Sequence, residues 1–184
     1  MNRAKNLYKT LFLSFLFLVS NIQLSSQNKA IKTTGDILLF ALPVATLAST
    51  FIIDDNKGSW QFTKGLLLTE AVTYALKIGI NKERPDMSNN NSFPSGHTST
   101  TFHSASFIHR RYGFKFSIPV YALAGLTAYS RIDADKHDGL DILAVAIIGI
   151  GSSFLFTTEY QKEHMELTFN NQKGNYLLGF TYKF

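Results

Sequence analysis

Between Asp36 and Thr157 the chain alternates long apolar runs with short stretches of charge and turn-forming residues. That alternation limits the fold more than any other feature. Asp36–Ile53 is apolar almost throughout, with Pro43 placed to kink it, and Asp54-Asp55-Asn56-Lys57-Gly58 is turn chemistry. Phe62–Ile80 reads as a second helix, with Leu66, Leu67, Val72, Leu76 and Ile80 as its apolar positions. Asn81–Phe93 is polar, carries Pro85 and an asparagine run, and reads as a loop. A third helix is expected after Pro94-Ser95-Gly96 to about Arg110, a fourth over Ser117–Ser130 and a fifth over Leu140–Thr157. The third is unusually polar, and its small residues suit close packing against neighbouring helices better than contact with lipid. Alternating residues on either side of Asn171-Gln172-Lys173-Gly174-Asn175 predict a hairpin from Glu166–Asn170 and Tyr176–Phe184. The expected fold class is all-α: a membrane-embedded bundle of five to six helices with a short C-terminal β-hairpin-like tail.

A length of 184 residues suits one domain with its own core. Arg3, Lys5 and Lys9 precede the apolar run Leu11–Val19, and Ser20, Ser25 and Ser26 follow it. Residues 1–26 therefore read as a signal peptide, or else as an uncleaved first transmembrane helix, although the run is shorter than the ~20 residues of a comfortable span. Asn28–Thr34 reads as a polar spacer, residues 27–160 as the helical bundle and 161–184 as the tail. The net charge is +5, but the Lys and Arg residues are scattered without interleaved aromatics, so no nucleic-acid partner is expected. The absence of cysteine excludes thiol catalysis, disulfides and cysteine-based zinc sites.

Three clusters gather charge and glycine at the ends of apolar helices: Lys77-x6-Arg84-Pro85, Pro94-Ser95-Gly96-His97 and Ser130-Arg131-x5-His137-x3-Asp141. Lys77, Arg84 and Arg131 are suited to clamping an oxyanion, since guanidinium groups match phosphate oxygens in pairs and lysine adds a point charge. Ser95 and Gly96 stand where a helix begins, and backbone N–H groups there favour anions. His97 and His137 offer an acid and a nucleophile near neutral pH. Asp141 follows His137 by four residues, so one helical turn places its carboxylate beside the imidazole. Together these are the parts of a phosphoryl-transfer site in which protein cations neutralise charge, so neither metal nor other cofactor is called for. His103 and His109 read as structural, and Asp133, Asp135 and Asp138 as loop charges whose spacing misses the calcium-loop pattern.

The three clusters resemble the signature motifs of the type-2 phosphatidic acid phosphatase and vanadium haloperoxidase superfamily at every fixed position. The resemblance implies a helical bundle in which His137 attacks phosphorus, Asp141 assists it and His97 protonates the leaving oxygen. It also implies that Lys77, Arg84, Ser95, Gly96 and Arg131 hold the phosphate. The expected function is hydrolysis of a lipid phosphate or diphosphate through a phosphohistidine, with the membrane and a lipid phosphate as partners. A vanadium-dependent haloperoxidase is the alternative within the superfamily, but the brief Asp86–Phe93 loop leaves little room for halide-binding residues. A non-catalytic envelope protein with a relict phosphate site is the other. The expected location is the inner membrane with the active site facing the periplasm, because Arg110, Arg111 and Lys115 mark the opposite turn as cytoplasmic; a soluble or peripherally bound periplasmic bundle is the alternative.

Overall fold

The computed structural model describes residues 29–160 and the backbone of two strands at 165–172 and 175–182. The signal or first-helix reading of residues 1–26 lies outside these. Five helices follow one another: α1 (Lys29–Ile52), α2 (Asn56–Ile80), α3 (Gly96–Tyr112), α4 (Phe114–Asp133) and α5 (Gly139–Phe156). The hairpin is β1 (Met165–Gln172) paired antiparallel with β2 (Asn175–Tyr182), in a register that sets Gln172 opposite Asn175. Both strands reach further into the turn than the sequence pattern predicts.

Asn28–Thr34 is not a spacer. From Lys29 onward it is the first turn and a half of α1, with the Thr33 and Thr34 hydroxyls donating to the carbonyls of Lys29 and Ala30 at 2.9 Å. Polar side chains that bond to their own helix hide its start from a reading based on hydrophobicity. Pro43 does not interrupt α1, nor Pro119 α4. Asp54 takes a left-handed conformation (φ 56°), and Asp55 caps α2 by accepting from the Gly58 N–H, so α2 starts six residues before Phe62.

The polarity of the bundle is inverted relative to a water-soluble protein. α3 is the central helix, packed against α2, α4 and α5, and its buried residues include Thr98, Ser99, Thr100, Thr101, Ser104 and Ser106. Several of these hydroxyls donate to a carbonyl three or four residues back, as Ser104 does to Thr100. Gly149 of α5 lets the two backbones meet: a Cβ there would lie 2.8 Å from the Ser99 carbonyl oxygen and 2.9 Å from the His103 nitrogen. The largest apolar side chains point outward instead, among them Phe40 (70% exposed), Ile52, Leu67, Phe116, Leu143 and Leu155. Outward apolar side chains of this kind suit a surface covered by lipid or by a protein partner. α1 and α5 are each long and apolar enough to cross a membrane. The buried apolar cluster is small, centred on Phe62, Phe107 and Ile108, with the two phenyl rings 5.1 Å apart edge to face.

The loops divide between two ends. At one end Arg111 is clamped by Asp55, with Nη2 to Oδ1 at 2.6 Å and Nε to Oδ2 at 2.8 Å, and Tyr112 Oη donates to the same carboxylate at 2.7 Å. This corrects the reading of Arg111 as a loop charge: it is wholly buried and its charge is matched. The other end gathers the start of α1, the Asn81–Ser95 loop and the Ala134–Asp138 turn, where the Asp86 N–H donates to the Asp135 carbonyl at 3.0 Å.

Candidate active site

All three sequence clusters fall at this second end. α2 terminates at Asn81 in a left-handed conformation (φ 51°), which turns the chain sharply after Lys77. The Lys77 ammonium then donates to the carbonyls of Asn91 (2.8 Å) and Pro94 (2.6 Å), stapling the loop that leads into α3. Ser95 is the N-cap of α3 and fully buried; its hydroxyl meets Thr98 Oγ1 at 3.1 Å, and its N–H donates to the Asp141 carbonyl at 3.3 Å. That last bond takes Ser95's own amide out of the anion site. It leaves Gly96 and the turn after it, whose N–H groups have no carbonyl within the helix, to face an anion.

His137 sits in the turn before α5, 4% exposed. Burial, followed by the nearby charges of Lys77 and Arg84, pushes its pKa down to about 4. The imidazole is therefore neutral at pH 7. Asp141 Oδ2 lies 3.5 Å from its Nδ1. The carboxylate is otherwise engaged: Oδ1 receives Lys82 at 2.8 Å, and Oδ2 receives the Ser92 hydroxyl and the Asp138 N–H. Asp138 and Asp141 form a capping box that starts α5, with Asp138 Oδ1 accepting from the N–H of Leu140 and of Asp141 at 3.0 Å each. Asp138 is thus a helix cap and a partner of Lys82 (2.5 Å), more than the loop charge its neighbourhood suggests. Burial works against the charge of Lys82, but its hydrogen bonds to Asp138 and Asp141 and their negative charges outweigh it and raise its pKa.

The Arg131 guanidinium is held from α1 and by its own neighbour. Its Nη1 donates to Asp36 Oδ1 at 2.8 Å, its Nη2 to the Lys32 carbonyl at 2.8 Å and its Nε to Ser130 Oγ at 3.1 Å. Asp36 Oδ1 also receives His97 Nε2 at 3.0 Å. Besides burial, Lys77 and Arg84 lower the pKa of His137, and Arg131 and Arg84 lower that of His97 while Asp36 opposes them, so Arg84 is common to both histidines. Among the described residues, Nδ1 of His137 and Nε of Arg84 are buried with no hydrogen-bond partner.

Asp36, Lys82 and Ser92 belong to no sequence cluster and were missed. Asp36 had one available signal, a carboxylate heading an otherwise apolar run. His103 is structural as expected, with Nε2 3.2 Å from the Phe62 carbonyl and Nδ1 3.4 Å from Thr69 Oγ1. Among the described residues no group of three or more His, Asp or Glu side chains is arranged to hold a metal.

The chain is 32% identical over 195 aligned positions to a lipid A 4'-phosphatase of Helicobacter pylori, a match covering 95% of this chain and 98% of that one. It is 37% identical over 89 positions to a lipid A 1-phosphatase of Porphyromonas gingivalis, covering 47% of this chain and 20% of that longer one. The crystal structure of Aquifex aeolicus LpxE shares the fold, with a TM-score of 0.62 at 22% identity over 70% of this chain and 84% of that one. The PAP2 superfamily model matches residues 58–165, more than half of the sequence and the whole span from Lys77 to Asp141. A family match of that extent, running through all three helix-end clusters, means that this chain belongs to the PAP2 superfamily, in its lipid phosphatase branch.

Proposed function

We propose that the chain is a lipid A phosphatase of the cell envelope that removes the 4'-phosphate through a covalent phosphohistidine. The whole-length likeness to a 4'-phosphatase supports the substrate, and the buried neutral imidazole of His137 beside two cations supports the chemistry. The phosphate sits between Lys77, Arg84 and the N-terminus of α3, where the buried Arg84 Nε and the Gly96 amide meet its oxygens. With Nδ1 turned toward Asp141, Nε2 is the nitrogen of His137 that attacks. The N–P bond forms as the P–O bond to the sugar breaks, and His97 delivers a proton to the departing oxygen. Water then attacks the phosphohistidine, releases phosphate and restores His137. Protein cations carry the charge neutralisation that phosphoryl transfer requires.

The site faces the periplasm, and the outward apolar side chains of the bundle lie against lipid. Incubating the purified protein with bisphosphorylated lipid A and reading the product by mass spectrometry decides the matter. Loss of one phosphate from the non-reducing sugar is expected. Loss from the reducing sugar assigns the 1-phosphate instead, and no loss from any lipid A overturns the reading.

A further inference from the structure

Among the described residues, the carboxylate of Asp36 touches both an expected acid, His97, and an expected phosphate ligand, Arg131, and neither sequence motif nor family resemblance assigns it a role. Lys32, Gly35 and Asp36 are spaced i, i+3 and i+4, so they share one face of α1. Each meets the end of α4. The Lys32 carbonyl receives Arg131 Nη2, Asp36 receives Arg131 Nη1, and a Cβ on Gly35 would collide with Ser130 Oγ and lie 2.8 Å from Arg131 Nη2. α1 is therefore wedged against the catalytic end by close packing.

Among the described residues, the charged groups that face the His97 ring are Asp36 from α1, Arg131 from α4 and Arg84 from the loop after α2; burial and the two arginines lower its pKa, and Asp36 is the group that opposes them and favours the proton. An ionised carboxylate only accepts hydrogen bonds, so the 3.0 Å contact from His97 Nε2 to Asp36 Oδ1 places a proton on Nε2. Arg131 holds the same oxygen from the other side, and its two further bonds keep it in place, which fixes the carboxylate in turn.

We propose that Asp36 is a positioning residue for the phosphatase reaction, holding His97 by Nε2 so that Nδ1 of the imidazolium presents its proton to the leaving oxygen. This rests on the reading of His97 as the acid given above. As the P–O bond breaks, its electron pair stays on the leaving oxygen, which takes the Nδ1 proton. His97 is left as the neutral Nε2–H imidazole, still bonded to Asp36. The role parallels that of carboxylates that fix the tautomer and orientation of working histidines elsewhere.

The test compares D36N, D36E, H97N and the D36N/H97N double variant on bisphosphorylated lipid A, with thermal melting in detergent to confirm folding. D36N is expected to lower kcat about 10- to 100-fold, part of the ~10²- to 10⁴-fold a general acid contributes, with KM little changed. D36E is expected to recover some of the loss. In the H97N background, D36N should cost nothing further. Nitrogen-15 spectra of labelled histidine, assigned with H97N, should show His97 protonated at Nε2 in the wild type and a tautomer mixture in D36N. The proposal is overturned by a D36N enzyme of raised kcat/KM, which would make the carboxylate an obstruction. Losses that multiply in the double variant, or a His97 spectrum indifferent to D36N, overturn it too. A wild-type protein inactive on lipid A counts against the substrate reading instead, and the spectra still decide the role of Asp36.

Discussion

Lys82 and Asp141 are joined by a 2.8 Å ion pair in which the carboxylate side chain is fully buried and the lysine side chain is 33% exposed. Lys82 bonds one oxygen of the carboxylate, and the other lies 3.5 Å from Nδ1 of His137. The charge that favours a protonated His137 is thus shared with a lysine that no motif contains. Replacing Lys82 with Met frees the carboxylate for the imidazole. The apparent pKa on the acid limb of kcat/KM should then rise, with kcat down about tenfold, the equivalent of ~1.4 kcal/mol. An unmoved acid limb in K82M would show that the pair has no bearing on His137.

His137 makes a second, independent prediction about pH. Its pKa falls from an ordinary ~6.5 to about 4 on folding, because burial and the charges of Lys77 and Arg84 disfavour the imidazolium. The unfolded chain therefore binds more protons than the folded one between these values, and stability rises with pH across the window. The contribution is fully present above pH ~6.5, declines as pH falls and is exhausted near pH 4. Melting temperatures in detergent should show this slope between pH 6.5 and 4 in the wild type and a shallower one in H137Q. Parallel slopes would place the imidazole elsewhere.

The roles proposed for His137 and His97 are separated by leaving group. H137A should abolish phosphate release and the acid-labile phosphohistidine trapped from labelled substrate. H97N should slow lipid substrates, whose alkoxide needs a proton, by ~10²-fold or more. Activated aryl phosphates should lose much less. Equal losses on both would make His97 a binding group only.

The far end of the bundle is predicted to matter for folding and not for chemistry. Asp55 and Arg111 form a bidentate pair with almost no exposure on either side chain. Removing one partner breaks a bidentate pair of buried charges, which costs about 3–5 kcal/mol. D55N and R111M should lower the melting temperature sharply while the folded fraction keeps its kcat. A lowered kcat with unchanged stability would tie this end to the active site.

The site end and the Arg110–Lys115 end should lie on opposite faces of the membrane. The cysteine-free sequence allows single cysteines at Asn90 and Lys115, both exposed. An impermeant thiol reagent applied to intact spheroplasts should label position 90 and spare 115. Labelling of both would refute a spanning topology.

What could be read in advance follows from sequence distance. His137 and Asp141 are one helical turn apart, and Pro94-Ser95-Gly96-His97 marks a helix start, so local rules reach them. Asp36 meets His97 61 residues away and Arg131 95 residues away, and Lys82 meets Asp138 and Asp141 at separations of 56 and 59. No local pattern encodes such contacts. For the same reason the groups that hold the Arg131 guanidinium, the Lys32 carbonyl and Asp36 on α1, lie outside its own motif. The helices themselves were legible from their apolar runs, except where polar residues such as Thr33 and Thr34 extend them.

The hydroxyl-filled interior of α3 has a consequence for how the protein responds to temperature. A water-soluble domain gains about 12–15 cal/mol/K of heat capacity per residue on unfolding, because apolar groups become hydrated, and its stability curve bends accordingly. In the bilayer proposed for this bundle the large apolar side chains already face outward, and separating the helices would bring serine and threonine to the hydrocarbon. Little apolar surface is newly wetted, so the heat-capacity change is small and the stability curve nearly straight, without a cold-denaturation limb. The thickness and headgroup of the surrounding amphiphile, more than cooling, then set how tightly α3 is held, and with it the spacing between His97 and His137.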